Sequence, residues 1–274
     1  QDANTLQALA RSVEEGFAEA ILVGDAWKIH EEARVLGLSE DRFAIVDVPG
    51  DREATREALR RVREGEADVL MKGLVGTDTF LRAVLDKERG LLPPGAVLSY
   101  VCALQVPAYP KLLFVSDTAV LPFPNLQEKA AMVRYAVTMA RRFGIGMPRV
   151  ALVGATEKPS PHFPSHADNA PLCAMVARGE LPECIIDGPI DVFLACDPAS
   201  PGIKGVPTPI GGEADVLIFP SLEACNAFYK GLMLFAGGEL AGLLQGTTKP
   251  VVVMSRSESP ASKFYCVALA CFLA

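Results

Sequence analysis

The stretch AILVGDAWKIHEEARVLGLSEDRFAIVDV, residues 20–48, decides the fold. It opens with a continuous apolar run at 20–24, passes through an amphipathic stretch, and closes with a second apolar run at 43–48. Uninterrupted Val, Ile and Leu runs are typical of strands that are buried on both faces, as in parallel sheets. The stretch therefore predicts a strand–helix–strand unit.

The same alternation continues along the 274 residues. Further strands are predicted at 67–71, 97–102, 112–116, 149–154, 183–187, 215–219, 240–244 and 251–254. Helices are predicted at 53–64, 78–89, 126–143, 167–178, 222–236 and 260–273, most of them from apolar residues spaced three and four apart. This rhythm predicts an α/β protein with mostly parallel sheets.

A change of domain is predicted at 143–150. A helical pattern stops there at Gly144, and a new strand starts after Pro148. Gly and Pro are the residues that most often end helices. We therefore expect a first α/β domain before this point and a second one after it.

Composition narrows the class of protein. The net charge of −7 argues against a general nucleic-acid binder, which needs a basic surface. Seven scattered cysteines, without a Cys-x-x-Cys pair, indicate buried reduced thiols in a cytoplasmic protein. No apolar run is long enough to cross a membrane, and the acidic start does not resemble a signal peptide. The sequence begins without Met, which is compatible with residues upstream of it.

Small, polar and charged residues follow many of the predicted strands. They include Lys72-Gly73, Asp117-Thr118, Asp187, Gly246-Thr247 and Ser255-Arg256. In open α/β sheets, ligands bind at the carboxyl ends of the strands. The pattern therefore predicts a polar ligand site at this edge.

Ser255 and Arg256 form the sharpest candidate. Ser259 is a good N-cap and Pro260 a good first residue for the last helix, so free backbone N–H groups point to one place. Arg256 adds a cation suited to phosphate, and Lys263 in the first turn adds another. A surface Arg beside a helix cap remains the alternative interpretation.

The segment from Lys72 to Arg82 is the second candidate. Thr77 or Asp78 can cap the predicted helix, and Arg82 stands four residues before Asp86. An exposed ion pair with Asp86 and an anion-binding Arg are both compatible with this spacing. The residues alone favour the ion pair.

Metal, dinucleotide, P-loop and hydrolase sites have weaker support in the sequence. His162 and His166 are separated by Pro164, so a shared helix face for a metal is not expected, and no third ligand is nearby. His30 is expected on a helix surface. No Gly-x-Gly-x-x-Gly, Walker-type or Gly-x-Ser-x-Gly motif occurs, which disfavours dinucleotide, P-loop and hydrolase sites.

The chain resembles phosphate butyryltransferases and, more distantly, phosphate acetyltransferases. The likeness covers almost the whole chain and is strongest in AEAILVGD at 18–25, ADVLMKGLVGTDTFLRAVLDKERGL at 67–91, LLFVSDTAV at 112–120, IIDGPI at 185–190 and the run at 212–259. The MKGLV-T-x-x-F-L-R-A-V-L pattern, the later N-x-x-Y-K and the final S-R are its most specific motifs.

The resemblance implies an acyltransferase that moves a short acyl group, from acetyl to butyryl, between coenzyme A and inorganic phosphate. It implies no tightly bound cofactor, no metal, and a homodimer or larger homo-oligomer. It implies two three-layer α/β domains of the isocitrate/isopropylmalate dehydrogenase-like class with a cleft between them. The first domain would comprise 1–144 plus 256–274, and the second 145–255.

The resemblance also implies roles for individual residues. Ser255 and Arg256 correspond to the catalytic Ser-Arg pair of the family. Substrate-binding roles are expected for Lys72, Gly73, Thr77, Arg82, Asp187, Asn226, Lys230, Gly246 and Thr247.

Three departures from the family pattern matter. Ser262 stands where the acetyltransferase branch carries an Asp proposed as the base for the thiol, and the butyryltransferase branch also lacks that Asp. His162 replaces the Lys of the family's P-K-M-P segment, and Lys111 is only near the position of a second acetyltransferase Arg. The base is therefore open, with Glu258 as one candidate.

Two alternatives remain at this point. A non-catalytic module that binds acyl-CoA or an anion would fit the missing Asp. A decarboxylating dehydrogenase of similar fold would need a cluster of Asp residues for Mg²⁺, which the sequence does not show.

Overall fold

The computed structural model describes residues 2–158, 160–255 and 258–274, with only the backbone of Glu40. In chain order its first half contains α1 (Ala3–Glu14), β1 (Ala20–Gly24), α2 (Ala26–Val35), β2 (Phe43–Asp47), α3 (Asp51–Arg63), β3 (Leu70–Met71), α4 (Thr77–Val84), β4 (Ser99–Gln105), β5 (Leu113–Ser116) and α5 (Leu126–Arg142). The second half contains β6 (Arg149–Val153), α6 (Asn169–Ala177), β7 (Ile185–Ile190), α7 (Val192–Cys196), α8 (Ser200–Lys204), β8 (Val216–Ile218), α9 (Leu222–Ala236), β9 (Glu239–Gln245), β10 (Val251–Val252) and α10 (Pro260–Leu273). Short 3₁₀ turns cover Glu40–Arg42 and Pro164–Asp168.

The first compact unit consists of Gln1–Ala96 and Ala241–Ala274. In it β1 and β2 pair in parallel, with Ala20 opposite Phe43. Strand β10 pairs in parallel with β3 and antiparallel with β9. Helices α1 and α10 pack against each other, and the Arg11 guanidinium lies 3.8 Å from the centre of the Phe264 ring. Two separate chain segments thus build one compact unit.

The second unit is Val97–Leu240. Its strands lie in the order β4-β5-β8-β6-β7, and each neighbouring pair after the antiparallel β4–β5 pair is parallel. Helix α5 covers β4, β5 and β8 and buries Val133, Ala136 and Val137 completely. A capping box at Asn125 and Glu128 begins that helix and satisfies backbone N–H groups at its start.

The predicted class, a mixed α/β protein with mostly parallel strands, is confirmed. Several elements are shorter than predicted, and two of them have a clear local cause. The strand predicted at 67–71 is ordered as a strand only over Leu70–Met71, because its partner β10 is two residues long. The helix predicted at 78–89 ends at Val84, because the Asp86 carboxylate accepts the N–H groups of Glu88 and Arg89 and forms a turn.

The compact units have other bounds than the predicted domains. The predicted change at 145 falls inside the second unit, between α5 and β6, and both of these elements pack in that unit's sheet. The carboxyl-terminal segment of the first unit starts at Ala241 rather than at 256. Within the described residues, none of the helices has the length and apolar character needed to cross a membrane.

Candidate active site

Ser255 and Glu258 are hydrogen-bonded to each other just before α10 in the first unit. The backbone N–H of Ser255 donates to Oε2 of Glu258 at 3.0 Å, and the N–H of Glu258 donates to the carbonyl of Ser255 at 3.3 Å. Ser259 then caps the helix by accepting the N–H of Ser262 at 3.0 Å, with Pro260 as the first helical residue. The predicted cap is confirmed. Ser255 itself is half-buried, and Arg256 lies outside the described residues.

Lys263 does not serve as a second phosphate cation. Its side chain is 3% exposed, and its ammonium pairs with the carboxylate of Asp2 and lies 3.4 Å from the hydroxyl of Thr5. The expectation from its place in the first turn of α10 was wrong, because α1 packs over that turn. Ser262, at the position of the family Asp, is fully buried.

The loop between β3 and α4 lies beside the loop after β10. The N–H of Lys72 donates to the carbonyl of Val252 at 2.9 Å, continuing the parallel β3–β10 pairing. Both loops therefore leave the carboxyl ends of adjacent parallel strands, where ligands collect in α/β sheets. The structure thus brings Lys72, Gly73 and Ser255 to one edge of this sheet.

The ammonium of Lys72 points into its own loop. It donates to the carbonyls of Gly73 at 3.0 Å and Val75 at 2.9 Å, and the residue is 5% exposed. Lys72 thus orders the backbone of this loop. A Cβ on Gly73 would meet no atom within 4 Å, so a ligand has room to approach the backbone there. Both residues line a cavity of about 710 Å³ in the first unit, a volume typical of small-molecule sites.

Helix α4 starts differently from the prediction. Its N-cap is Gly76, no side chain caps it, and Thr77 is the exposed first helical residue. An uncapped helix start offers backbone N–H groups and positive dipole to an anion. Arg82 is 79% exposed and pairs with Asp78 at 3.0 Å. The prediction that Arg82 pairs with Asp86 was wrong, because Asp86 lies beyond the end of α4 at Val84.

The loop between β9 and β10 carries Gly246 and Thr247. Gly246 has a φ of 93°, a conformation that favours glycine. The hydroxyl of Thr247 donates to the carbonyl of Lys249 at 2.8 Å, and the N–H of Thr248 donates to the carbonyl of Leu91 at 2.9 Å. These bonds fix a turn, and they give no direct sign of a ligand.

The second unit holds the remaining predicted residues. Asn226 on α9 donates to the carbonyl of Thr118 at 3.0 Å, whereas Lys230 is exposed one turn further on. Asp187 in β7 accepts the hydroxyl of Thr208 at 2.6 Å. Strands β8 and β6 lie between β5 and β7, so Asp187 is about three strand spacings, about 14 Å, from the end of β5. Asn226 and Asp187 therefore do not share one cluster within this unit.

Asp117 is a buried acid whose importance the sequence did not reveal. Its carboxylate accepts four hydrogen bonds, from the Ser99 hydroxyl and from the N–H groups of Tyr100, Ala119 and Val120, at 2.8 to 3.0 Å. Burial raises the pKa of Asp117 above its ordinary value, although these bonds oppose that shift. The acid organises the turn that Asn226 contacts. The only sequence signal was its place directly after a buried strand.

The two loop histidines lie in different surroundings. His162 is exposed, whereas His166 is 4% exposed and stacks on Phe163, with ring centres 5.0 Å apart. The Nδ1 atom of His166 has no hydrogen-bond partner among the described residues. No group of three or more His, Cys, Asp or Glu in 2–158, 160–255 and 258–274 is arranged to hold a metal.

Comparison with known proteins identifies the family. The profile of the phosphate acetyl/butaryl transferase family matches residues 51–271. The phosphate butyryltransferase of Clostridium beijerinckii is 40% identical over 274 residues, all of this chain and 90% of that protein. The phosphate acetyltransferase of Thermotoga maritima is 34% identical over 273 residues, covering 100% of this chain and 92% of that protein.

A solved structure agrees with these relatives. The branched-chain phosphotransacylase from Enterococcus faecalis V583 superposes with a TM-score of 0.78 at 26% identity, covering 92% of this chain and 98% of that one. Sequence and fold thus point to the same group of enzymes. The chain belongs to the phosphate acetyl/butaryl transferase family and is an acyltransferase.

Proposed function

We propose that the turn at Ser255 and Arg256 binds the phosphate in this enzyme, and that the acyl group is short, from acetyl to butyryl. The reaction follows from family membership: acyl-CoA and phosphate give acyl phosphate and coenzyme A, reversibly. The observation that carries the proposal is the parallel β3–β10 pairing. It brings the Lys72-Gly73 loop beside the segment that leads to Ser255 and the start of α10.

The chemistry needs few groups. A phosphate oxygen attacks the thioester carbonyl, the C–S bond breaks, and the thiolate of coenzyme A leaves with its electron pair and then takes a proton. Backbone N–H groups at helix starts suit the phosphate oxygens, and a guanidinium adds bidentate hydrogen bonds. Holding the phosphate in line with the carbonyl supplies acceleration that does not depend on a strong base.

Lys72 enters this proposal as a loop-ordering residue. Because its ammonium binds two carbonyls of its own loop, it holds Gly73 and the start of α4 in place. Thr77 then offers backbone N–H, and Arg82 offers an exposed guanidinium. Substrate-binding roles for Gly246, Thr247, Asp187, Asn226 and Lys230 stay proposals from the resemblance.

The test measures release of free thiol from butyryl-CoA with and without inorganic phosphate. We expect release that requires phosphate. Arg256→Gln should lower it at least ~100-fold, the scale of losing one preorganised donor, with an unchanged circular dichroism spectrum. The control Arg34→Gln removes an exposed cation paired with Glu31 and should leave the rate unchanged. Near-normal activity of Arg256→Gln would contradict the assignment.

A panel of acetyl-, propionyl-, butyryl- and longer acyl-CoA substrates tests the proposed range of acyl-chain length. The highest kcat/KM should fall between acetyl and butyryl. Binding of acyl-CoA without phosphate-dependent thiol release would instead indicate a binding module.

A cytoplasmic location and the two-domain dehydrogenase-like description of the fold stay predictions. The location rests on cysteine usage, and the description of the fold rests on the resemblance.

A homodimer is also part of the proposal, and α9 supports it. One face of this helix carries exposed Ala224, Ala227 and Leu234. Small residues allow two helices to approach closely, and an isologous antiparallel pair centred near Ala227 would place Glu223 opposite the Lys230 of a second copy. Leu234→Glu should shift the mass measured by light scattering from dimer to monomer. An unchanged mass would exclude this face.

A further inference from the structure

Strand β1 has one open edge in the first unit. Among the described residues it pairs with β2 alone. Gly24 faces β2, because its carbonyl accepts the N–H of Val48 at 2.8 Å. Successive residues of a strand direct their backbone groups to opposite sides, so Ile21 and Val23 direct their N–H and C=O groups away from β2.

Strand β3 has an open edge of the same kind. The N–H groups of Leu70 and Lys72 donate to carbonyls of the β10 segment at 3.0 and 2.9 Å. Val69 and Met71 therefore direct their backbone groups away from β10, where the described residues supply no strand partner. The open edges of β1 and β3 both line the cavity of about 710 Å³ described above.

The two strands run in the same direction under shared helices. Helix α3 joins β2 to β3 and packs against both β1 and β3. Such a crossover is the usual connection between parallel strands, and β1 is itself parallel to β2. The cavity walls carry apolar side chains from three helices, among them Leu6 of α1, Val62 of α3 and Val267 of α10. The cavity is thus a gap between two parallel strands beneath apolar helices.

The burial of β1 does not match its sequence. Its run AILVG is apolar throughout, yet Ile21, Leu22 and Val23 are only partly buried. In β6, which has a strand on each side, Val150 and Leu152 are at most 2% exposed. A small molecule in the gap would cover side chains but leave buried N–H and C=O groups without partners, which costs free energy. An extended peptide satisfies both requirements.

We propose that the gap between β1 and β3 takes one further parallel strand, and that this strand is an apolar segment of the protein's own chain upstream of Gln1. It would make one continuous sheet of β2, β1, the added strand, β3 and β10. Because both of its edges and both of its faces would be buried, the segment should match the five residues of β1 in length. It should be rich in Val, Ile, Leu or Ala and contain no Pro.

The place of α1 argues for the upstream source. Asp2, its N-cap, lines the cavity and pairs with Lys263 in the first turn of α10. Helix α10 follows β10, so α1 begins at the edge of the sheet where parallel strands end. A strand in the gap that led into α1 and then β1 would join two neighbouring strands, as β1, α2 and β2 do. A strand after Ala274, which also lines the cavity, would have to pass β3 to reach the gap.

The experiment compares the chain 1–274 with the protein produced from its whole gene. Amide hydrogen exchange is followed by NMR at the four gap-facing residues, Ile21, Val23, Val69 and Met71. Leu22 and Leu70, whose N–H groups face β2 and β10, are internal controls. The four gap-facing amides should exchange rapidly in the chain 1–274 and about 100-fold more slowly in the longer protein, with a smaller change at the controls.

A peptide tests the same site without the connection to α1. The upstream segment, synthesised and added to the chain 1–274, should slow exchange at the four gap-facing amides and raise Tm. The control peptide carries Pro at its two central positions, lacks their N–H groups and should do neither. If the chain 1–274 does not fold alone, cross-strand NOEs from the segment to Val23 and Met71 in the longer protein decide the question.

Four outcomes would overturn the proposal. Slow exchange of the four gap-facing amides in the chain 1–274 would mean that β1 and β3 pair with each other. Exchange or NOEs that show no upstream strand in the longer protein would exclude the segment from the gap. A gene that encodes fewer upstream residues than the five of β1 could not supply it. Protection that requires residues after Ala274 would assign the gap to the other end of the chain. None of these readouts depends on acyl transfer.

Discussion

The ion pair between Asp2 and Lys263 is expected to hold α1 on α10. Lys263 is the more deeply buried partner, with 3% of its side chain exposed against 14% for Asp2. The hydroxyl of Thr5 donates to the Asp2 carboxylate and lies 3.4 Å from the Lys263 ammonium. Removing either charge leaves the other in different surroundings, so the two single variants should differ in stability.

Asp2→Asn should be the more costly change. It leaves a buried ammonium without a counter-charge, which costs about 3–5 kcal/mol in a fully buried site. Because the Asn oxygen and Thr5 remain as acceptors, we expect about 2–3 kcal/mol. Lys263→Met leaves a partly exposed carboxylate at the N-cap position of α1, where the helix dipole stabilises it, so about 1 kcal/mol is expected.

Urea unfolding followed by circular dichroism measures both values, and the double variant gives the coupling energy. The pH dependence gives an independent check. Burial works to raise the pKa of Asp2, but hydrogen bonds from Lys263 and Thr5 outweigh it and lower the pKa below 3.8. The stabilisation is therefore complete above the unfolded pKa and is lost as pH falls through the folded value.

The difference between wild type and Asp2→Asn should accordingly stay constant from about pH 7 to 5 and shrink below about pH 4. Two results would refute the reasoning. One is a smaller cost for Asp2→Asn than for Lys263→Met, since the deeper charge should matter more. The other is a difference that persists unchanged at pH 3.

Three further predictions concern single sites. A Cβ on Gly188 would lie 2.5 Å from a backbone oxygen of β6, so Gly188→Ala should lower the free energy of unfolding by about 1–3 kcal/mol. Gly73 has open space around it, so Gly73→Ala should leave Tm unchanged and raise the KM of a substrate. Arg82→Gln and Asp78→Asn each remove an exposed ion pair worth less than about 1 kcal/mol, so thermal melts should match wild type and only Arg82→Gln should lower kcat/KM. Asp117→Asn places an amide N–H₂ against N–H donors and should cost about 1–3 kcal/mol in urea unfolding. Because the folded pKa of Asp117 is raised, wild-type stability should also fall as pH rises above 3.8, and this variant should lose that trend.

The central strands of the second unit could be predicted because both of their faces are buried. Val150, Ala151 and Leu152 in β6 are at most 2% exposed, and so are Val216, Leu217 and Ile218 in β8. Such strands need continuous apolar residues, and a continuous run is visible in one sequence without any partner. The start of helix α10 could also be predicted, since Ser259 as N-cap and Pro260 as first helical residue determine it locally.

The partners of charged residues could not be predicted in the same way. Asp78 and Asp86 stand at equal spacing from Arg82, and only the end of α4 at Val84 decides between them. Lys263 and Asp2 are 261 residues apart in the chain, so local spacing carries no information about their pairing. The hydrogen bond between Ser255 and Glu258 lies outside any helix or strand, so no periodic pattern in the sequence predicts it.

These contacts link the stability of α1 to the proposed phosphate turn. Asn4 binds the backbone of Glu258, Asp2 binds Lys263 one turn into α10, and Glu258 in turn holds Ser255. A perturbation at Asp2 is therefore expected to reach Ser255 through packed and hydrogen-bonded groups. The sequence pattern Ser-Arg supplies the chemistry that suits phosphate, whereas α1, far away in the sequence, contacts Glu258 and Lys263 on the carboxyl-terminal side of that pattern.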